Sequence, residues 1–232
     1  MPLDHLAQNR RPVMLRSIQI GKSTRYHLKP SRPEGETEWF SAINKAPVNG
    51  SIRLCRKGLE GDDQADKENH GGLDKAILAY SAAHYEAWKR ELPVTSLPFG
   101  AFGENFTVEG LTEDHVCIGD TFQIGSVVVQ VSQPRVPCWK LSQRWNLPEL
   151  TKQVAVSGRT GWYLRVLEEG FVEAGTQMEL AERKFQEWTV LRASKVMRSR
   201  QTHPSEAHEL AKCELLSQSW REKLRSTREP ED

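Results

Sequence analysis

The chain has 232 residues, of which 38% are hydrophobic and 27% charged, and its formal net charge is +1. That is an ordinary globular balance, long enough to bury a core without disulfide or metal staples. It gives no overall pull toward nucleic acid or an anionic membrane, so any anion site must be local. No run approaches the roughly 18 apolar residues a membrane-crossing helix needs. Met1 to Arg11 lacks the apolar stretch of a signal peptide. Cys55, Cys117, Cys138 and Cys213 are scattered, with no CxxC pair and no zinc-ligand spacing. This usage fits a reducing cytoplasm better than a disulfide framework.

In chain order, Val13 to Ile20 partly alternates and predicts a first strand. Lys29 to Lys45 is polar and proline-bearing and reads as an excursion over the surface. Ser51 to Cys55 alternates again, and Lys75 to Tyr80 is a compact apolar run. Ser81 is placed to cap a helix from Ala82 to about Glu91, in which Tyr85 and Trp88 share a face. Val116 to Ile118 reads as a strand holding Cys117 as a packed thiol. Thr121 to Val131 carries two β-rich runs around Gly125-Ser126, a pair whose leading glycine suits a type II′ hairpin. Lys140 to Trp145 predicts a helical turn, and Pro148 to Val156 a short helix ending at Gly158. Gly161 to Leu167 and Thr176 to Glu182 predict two more strands.

Many short strands with brief helices between them imply a mostly β fold, barrel or sandwich, over residues 13–184. Strand signals then fade, and residues 185–226 predict a small all-α module of three helices. Thr189 and Ser205 are the expected caps of the first two, and Ser219-Trp-Arg-Glu222 has the form of a capping box for the third. Thr227 to Asp232 is expected to fray.

The densest chemistry lies in Ser132-Gln-Pro134-Arg135-Val-Pro137-Cys138-Trp-Lys140. Two prolines stiffen the backbone around an arginine, and a cysteine follows at once. A thiolate is a strong nucleophile and a soft-metal ligand, and Arg135 or Lys140 would favour that form. A buried, inert thiol is the competing reading. Three further segments combine glycine with charge: Gly58-Leu-Glu60-Gly-Asp62-Asp63-Gln-Ala-Asp66, His70-Gly71-Gly72-Leu-Asp74-Lys75, and Phe102-Gly-Glu104-Asn105-Phe106. Such turns can present backbone N–H groups and a cation to an oxyanion, although each alone is also a common strand connection. His70, Cys117 and Cys138 do not make a metal centre of their own, since His70 has no helical HxxxH partner. No Walker loop, dinucleotide fingerprint or GxSxG elbow occurs.

Taken in order, Gly-Leu-Glu-Gly-Asp, His-Gly-Gly-Leu-Asp-Lys-Ala, Phe-Gly-Glu-Asn and Gln-Pro-Arg-Val-Pro-Cys resemble the MOSC family, the C-terminal domain of molybdenum cofactor sulfurases. Leu216-Ser-Gln-Ser-Trp220 is similar to the closing motif of the helical triad found in its YiiM-type branch. The resemblance implies a β-barrel-like core and a molybdenum cofactor, Mo bound to molybdopterin, with Cys138 as the metal ligand. Carried onto this chain, Arg135, Lys75, Gly71, Gly72, Asp74, Asn105, Glu60 and Asp62 become expected cofactor-binding residues, and His70 joins Cys138 as a catalytic candidate. His70, Glu60 or Asp62 would relay protons. The implied activity is reduction of N-hydroxylated compounds such as purine bases, with electrons from a separate donor protein and no nucleic-acid or membrane partner. A cysteine-persulfide sulfur carrier and a non-catalytic binder of a phosphorylated pterin are the alternatives. The helical module would either dock a partner or complete the barrel's core.

Overall fold

The structure, a computed structural model, describes residues 12–27, 38–64 and 71–228. The chain enters on β1 (Met14–Ile20), followed by β2 (Thr24–His27), β3 (Glu38–Ser41) and the two-residue β4 (Ala46–Pro47). Next come β5 (Ile52–Cys55), β6 (Gly58–Leu59), a 3₁₀ turn at Leu73–Lys75, β7 (Ile77–Ser81) and α1 (Ala83–Glu91). Then β8 (Phe106–Glu109) leads to the hairpin of β9 (Thr121–Ile124) and β10 (Val127–Pro134). Helices α2 (Lys140–Trp145) and α3 (Leu150–Ser157) precede β11 (Trp162–Glu168), β12 (Gly170–Val172) and β13 (Met178–Glu182). The chain closes on α4 (Val190–Ser199), α5 (Pro204–Ala211) and α6 (Gln218–Arg225).

Eight strands form one sheet in the order β13-β9-β10-β11-β7-β8-β1-β4. Its pairings are antiparallel except β7 with β8. The sheet curls until its ends meet: Leu15 N–H donates to Thr176 O (2.9 Å) and Met178 N–H to Val13 O (2.8 Å). Inside the curl, Leu15, Ile18, Ile77, Phe106, Val129 and Leu164 are fully buried. Each such side chain contributes about 1.5–3 kcal/mol by leaving water. Gly125 has φ 58° while Ser126 stays outside the left-handed region, the geometry a type II′ turn demands of a leading glycine.

Strand β10 is buried on nearly every residue because a second layer covers its outer face. Val190, Ala193, Met197, Leu210, Leu216, Trp220 and Leu224, from α4 to α6 and the link between them, belong to the same apolar cluster as the barrel interior. The Ser217 N–H also donates to Ser132 O (2.9 Å), pinning the start of α6 to β10. The C-terminal helices therefore share the barrel's core. A second cluster, including Tyr80, Tyr85, Trp88, Phe102, Leu141 and Leu150, packs α1, α2 and α3 beneath the loops at one end of the barrel.

Several local expectations are corrected. Within the excursion at Lys29 to Lys45, Glu38–Ser41 forms β3, which pairs with β2; residues 28–37 lie outside the described residues. Val116–Ile118 is no regular strand, since only Cys117 forms a bridge, to Thr189. Helix α5 starts at Pro204 rather than behind Ser205, because proline's missing N–H costs nothing in a first turn. Helix α6 is capped by Ser217, whose Oγ accepts from Trp220 N–H (3.4 Å), two residues before the expected Ser219. Thr227 is buried and its carbonyl meets His208 Nε2 (3.1 Å), so the chain is held to that point. Thr189 caps α4 as expected, accepting from Arg192 N–H.

Candidate active site

A cleft opens over the second cluster. Arg135, Val136, Cys138 and Lys140 line it from the segment between β10 and α2, Tyr163 from β11, and Lys75 from the 3₁₀ turn. Phe102, Gly103 and Asn105 close it from the loop before β8, and Lys45, Asp62 and Asp63 from the opposite side.

The cysteine loop is held by backbone on both sides. Arg135 N–H donates to Gly161 O (3.1 Å), and Cys138 O accepts from Leu141 N–H (3.1 Å) and from Thr151 Oγ1 (3.1 Å). Between them Val136 projects into solvent. Cys138 is half-buried, whereas Cys117 is buried and burial pushes its thiol up to about 11. That contrast separates an accessible thiol from a packed one.

Arg135 is only 5% exposed. Its guanidinium donates to two carbonyls, Phe102 O (3.0 Å) and Thr160 O (3.5 Å), and no carboxylate among the described residues pairs with it. A buried cation without a counter-charge is costly unless an anion joins it. The carbonyl that orients it is itself fixed. Glu104, fully buried, accepts from the N–H groups of Gly100 (2.8 Å) and Phe102 (3.1 Å) and from the hydroxyls of Thr107 (3.1 Å) and Tyr85.

The wall opposite is a closed network. Asp62 accepts from Gly21 N–H (2.7 Å), Lys45 Nζ (2.5 Å) and Asn105 Nδ2 (2.8 Å). Asn105 also accepts from Leu78 N–H (3.2 Å) and donates to Gln19 O (3.2 Å). Burial lowers the Lys45 ammonium from its ordinary range, and Asp62 opposes that shift.

Tyr163 brings a phenol into the cleft. Burial pushes it up to about 12, with Arg135 easing the shift and Cys138 adding to it, which places all three in one electrostatic neighbourhood. Among the described residues its hydroxyl has no hydrogen-bond partner, although Ser132 Oγ bonds its carbonyl (3.1 Å).

Of the residues expected from the sequence, Cys138, Arg135, Lys75, Asn105 and Asp62 meet in this cleft. Asn105 and Asp62 spend their polar atoms on backbone, on Lys45 and on each other, so they build the wall rather than offer free groups. Asp74 turns away and pairs with Arg165 (2.8 Å) on the far side of its turn. Glu60 is exposed outside the cleft, in the turn where its N–H donates to Arg53 O (2.9 Å). Gly71 and Gly72 do not line the cleft either; Gly72, at φ 99°, shapes the turn that delivers Lys75, whose N–H donates to Gly72 O (3.0 Å). His70 lies outside the described residues. Tyr163 and Lys45 carry no local sequence signal and enter only through strand register and chain return.

The MOSC domain model matches residues 66–179, and a protein of Bacillus subtilis strain 168, the uncharacterized YflK, is 43% identical over 181 residues, covering 78% of this chain and 81% of that one. The chain belongs to the MOSC family. YiiM of Escherichia coli K12 is 38% identical over 198 residues, covering 84% of this chain and 87% of YiiM. A reductase of Gibberella moniliformis is 33% identical over 93% of this chain, which spans only 38% of that protein. Among solved structures, YiiM from Geobacillus stearothermophilus superposes with a TM-score of 0.76 at 34% identity, covering 92% of this chain and 98% of that one. The similarity thus places the chain in the YiiM branch, C-terminal helices included.

Among the described residues no three His, Cys, Asp or Glu side chains group as a metal centre. A metal at Cys138 would therefore bring most of its own ligands, as a dithiolene-bound metal does. The half-buried thiol, the unneutralised Arg135 and the neighbouring Lys75 suit such a group carrying a phosphate. Among the described residues no helix is long and apolar enough to cross a membrane.

Proposed function

We propose that this MOSC protein is a molybdenum-cofactor-dependent oxidoreductase that reduces N-hydroxylated compounds, N-hydroxylated purine bases among them. The observation that carries the proposal is the pairing, in one cleft, of the half-buried Cys138 with a buried arginine that pairs with no carboxylate among the described residues. The family and the reductase relative agree with it.

Cys138, as thiolate, would hold the molybdenum, and Arg135 and Lys75 would hold the pterin phosphate. The cofactor supplies the two-electron redox chemistry. Converting N–OH to N–H and water consumes two electrons and two protons. The Tyr163 hydroxyl, protonated across the physiological range, is the group positioned to donate a hydrogen bond to the substrate oxygen. Asp62, locked to Lys45, replaces neither role; it fixes the wall against which the substrate rests.

The test is molybdenum and pterin content of protein from a cofactor-competent host, measured beside reduction of an N-hydroxylated purine driven by reduced methyl viologen. Near-stoichiometric molybdenum in wild type, lost together with turnover in Cys138→Ala, is the expected result. A stoichiometric Cys138 persulfide without bound molybdenum would replace this reading with sulfur transfer.

A further inference from the structure

A second groove runs along the seam between the barrel and the C-terminal helices. Arg56, Arg165 and Arg221 line it, with Leu73, Asp74 and Gln218. Its lining holds three arginines and two carboxylates, and Glu169 accepts from the Arg56 backbone N–H (2.7 Å). Asp74 is taken by Arg165 (2.8 Å), and Arg56 donates to the Val166 carbonyl (3.0 Å). The Arg221 guanidinium has no acceptor among the described residues, and the Nε atoms of both Arg165 and Arg221 are buried without one. Against these guanidiniums stands one further carboxylate in the lining, Glu214. Beside them Leu73 is 60% exposed, an apolar side chain in a rim of arginines. Cationic residues around an apolar anchor are the composition of a binding surface for an acidic protein.

The groove lies next to the cleft. Leu73 and Asp74 of the 3₁₀ turn line the groove, and Lys75, the turn's last residue, lines the cleft. A 3₁₀ turn rises about 2 Å per residue, so the backbone passes from one to the other within roughly 4 Å. Ser132 Oγ, on the strand leading to Cys138, lies within hydrogen-bond distance of both Asp74 O (2.5 Å) and Tyr163 O (3.1 Å). The two surfaces thus share a rigid wall.

We propose that this groove is the docking surface of an acidic electron-donor protein. The proposal rests on the reductase reading above, which requires electrons that no flavin or nicotinamide fingerprint in residues 1–232 can supply. In the Gibberella moniliformis reductase, well over half of the protein has no counterpart in this chain. Electron-transfer encounters bury little surface, below about 1,200 Å², and depend on charge for their rate and orientation. A few arginines beside an exposed leucine suffice for that.

The experiment uses the full-length, cofactor-loaded protein and a charge-reversed Arg56→Glu/Arg221→Glu variant; Arg165 is left intact because it holds Asp74. Binding of oxidised plant-type ferredoxin, an acidic donor, is titrated by calorimetry at low ionic strength. Turnover of an N-hydroxylated purine is measured with reduced ferredoxin and with reduced methyl viologen. The expected result is a loss of ferredoxin affinity of about tenfold or more, a matching rise in KM for ferredoxin, and a flattened salt dependence. Methyl viologen turnover stays within about twofold of wild type, since that small donor needs no docking surface. Equal ferredoxin binding by variant and wild type, or no binding by wild type, overturns the docking surface. Absence of methyl viologen turnover in molybdenum-loaded wild type overturns the reductase reading instead. Inorganic phosphate that competes with ferredoxin only at Arg221 would reassign the groove to small anions.

Discussion

Replacing Asp62 by asparagine removes the counter-charge of a buried lysine while preserving shape. The Lys45 and Asp62 side chains are 7% and 5% exposed, and their atoms lie 2.5 Å apart. Removing one partner of a buried pair costs about 3–5 kcal/mol, because the other charge stays desolvated. For a domain of this size that corresponds to a fall in Tm of about 6–20 °C. The pH dependence gives the argument its sign. Burial already lowers the folded-state Lys45 value below its ordinary 10.5, and Asp62→Asn lowers it further. Between the folded and unfolded values the unfolded state binds more protons, so stability rises with pH in that window. Urea unfolding at several pH values between neutrality and 10 should show a penalty that shrinks as pH rises, with Lys45→Met restoring much of it at neutral pH. A variant as stable as wild type at neutral pH, or a penalty independent of pH, would refute the reasoning.

Cys138→Ala should abolish reductase turnover with unchanged unfolding, whereas Cys117→Ala, which removes a packed thiol that burial holds at about 11, should keep turnover and lose about 1 kcal/mol of stability. Tyr163→Phe should lower kcat about 10–100-fold, the worth of one strong hydrogen bond, while molybdenum content stays at wild-type level; an unchanged kcat would remove the phenol from the reaction. Gly161→Ala should destabilise the protein by at least about 2 kcal/mol, because φ is +78° and a Cβ would stand 2.4 Å from the Ala79 carbonyl oxygen. Arg135 N–H rests on the Gly161 carbonyl, so the same variant should also lose molybdenum, which metal analysis of the soluble fraction would register.

The parts of the site legible in the sequence are those fixed by covalent restriction. Pro134 and Pro137 stiffen the arginine–cysteine loop whatever surrounds it, and Gly125-Ser126 selects its own turn. Residues decided by longer-range geometry were not legible. Tyr163 reaches the cleft because β11 pairs it with Gln133, and nothing within its own strand marks that register. The Asp74-Lys75 pair misled because neighbours in a 3₁₀ turn diverge by about 120°, so one faces the cleft and the other Arg165. The fold was legible in kind, mostly β with helices after it. The shared core was one of two readings open for the helical module, since the same apolar pattern would serve a partner-docking module as well as a layer that completes the barrel.

The junction where the sheet meets itself has a consequence for how the molecule forms. On the edge of β1 away from β8, Leu15 and Val13 find their partners in residues 176 and 178, about 160 positions later. During synthesis β1 must wait, one edge unpaired, until nearly four-fifths of the chain has emerged. Pairings this distant in sequence fold on millisecond-to-second scales and leave sticky edges open meanwhile. The most vulnerable moment for this protein is therefore the interval before residues 175–178 arrive to seal the seam.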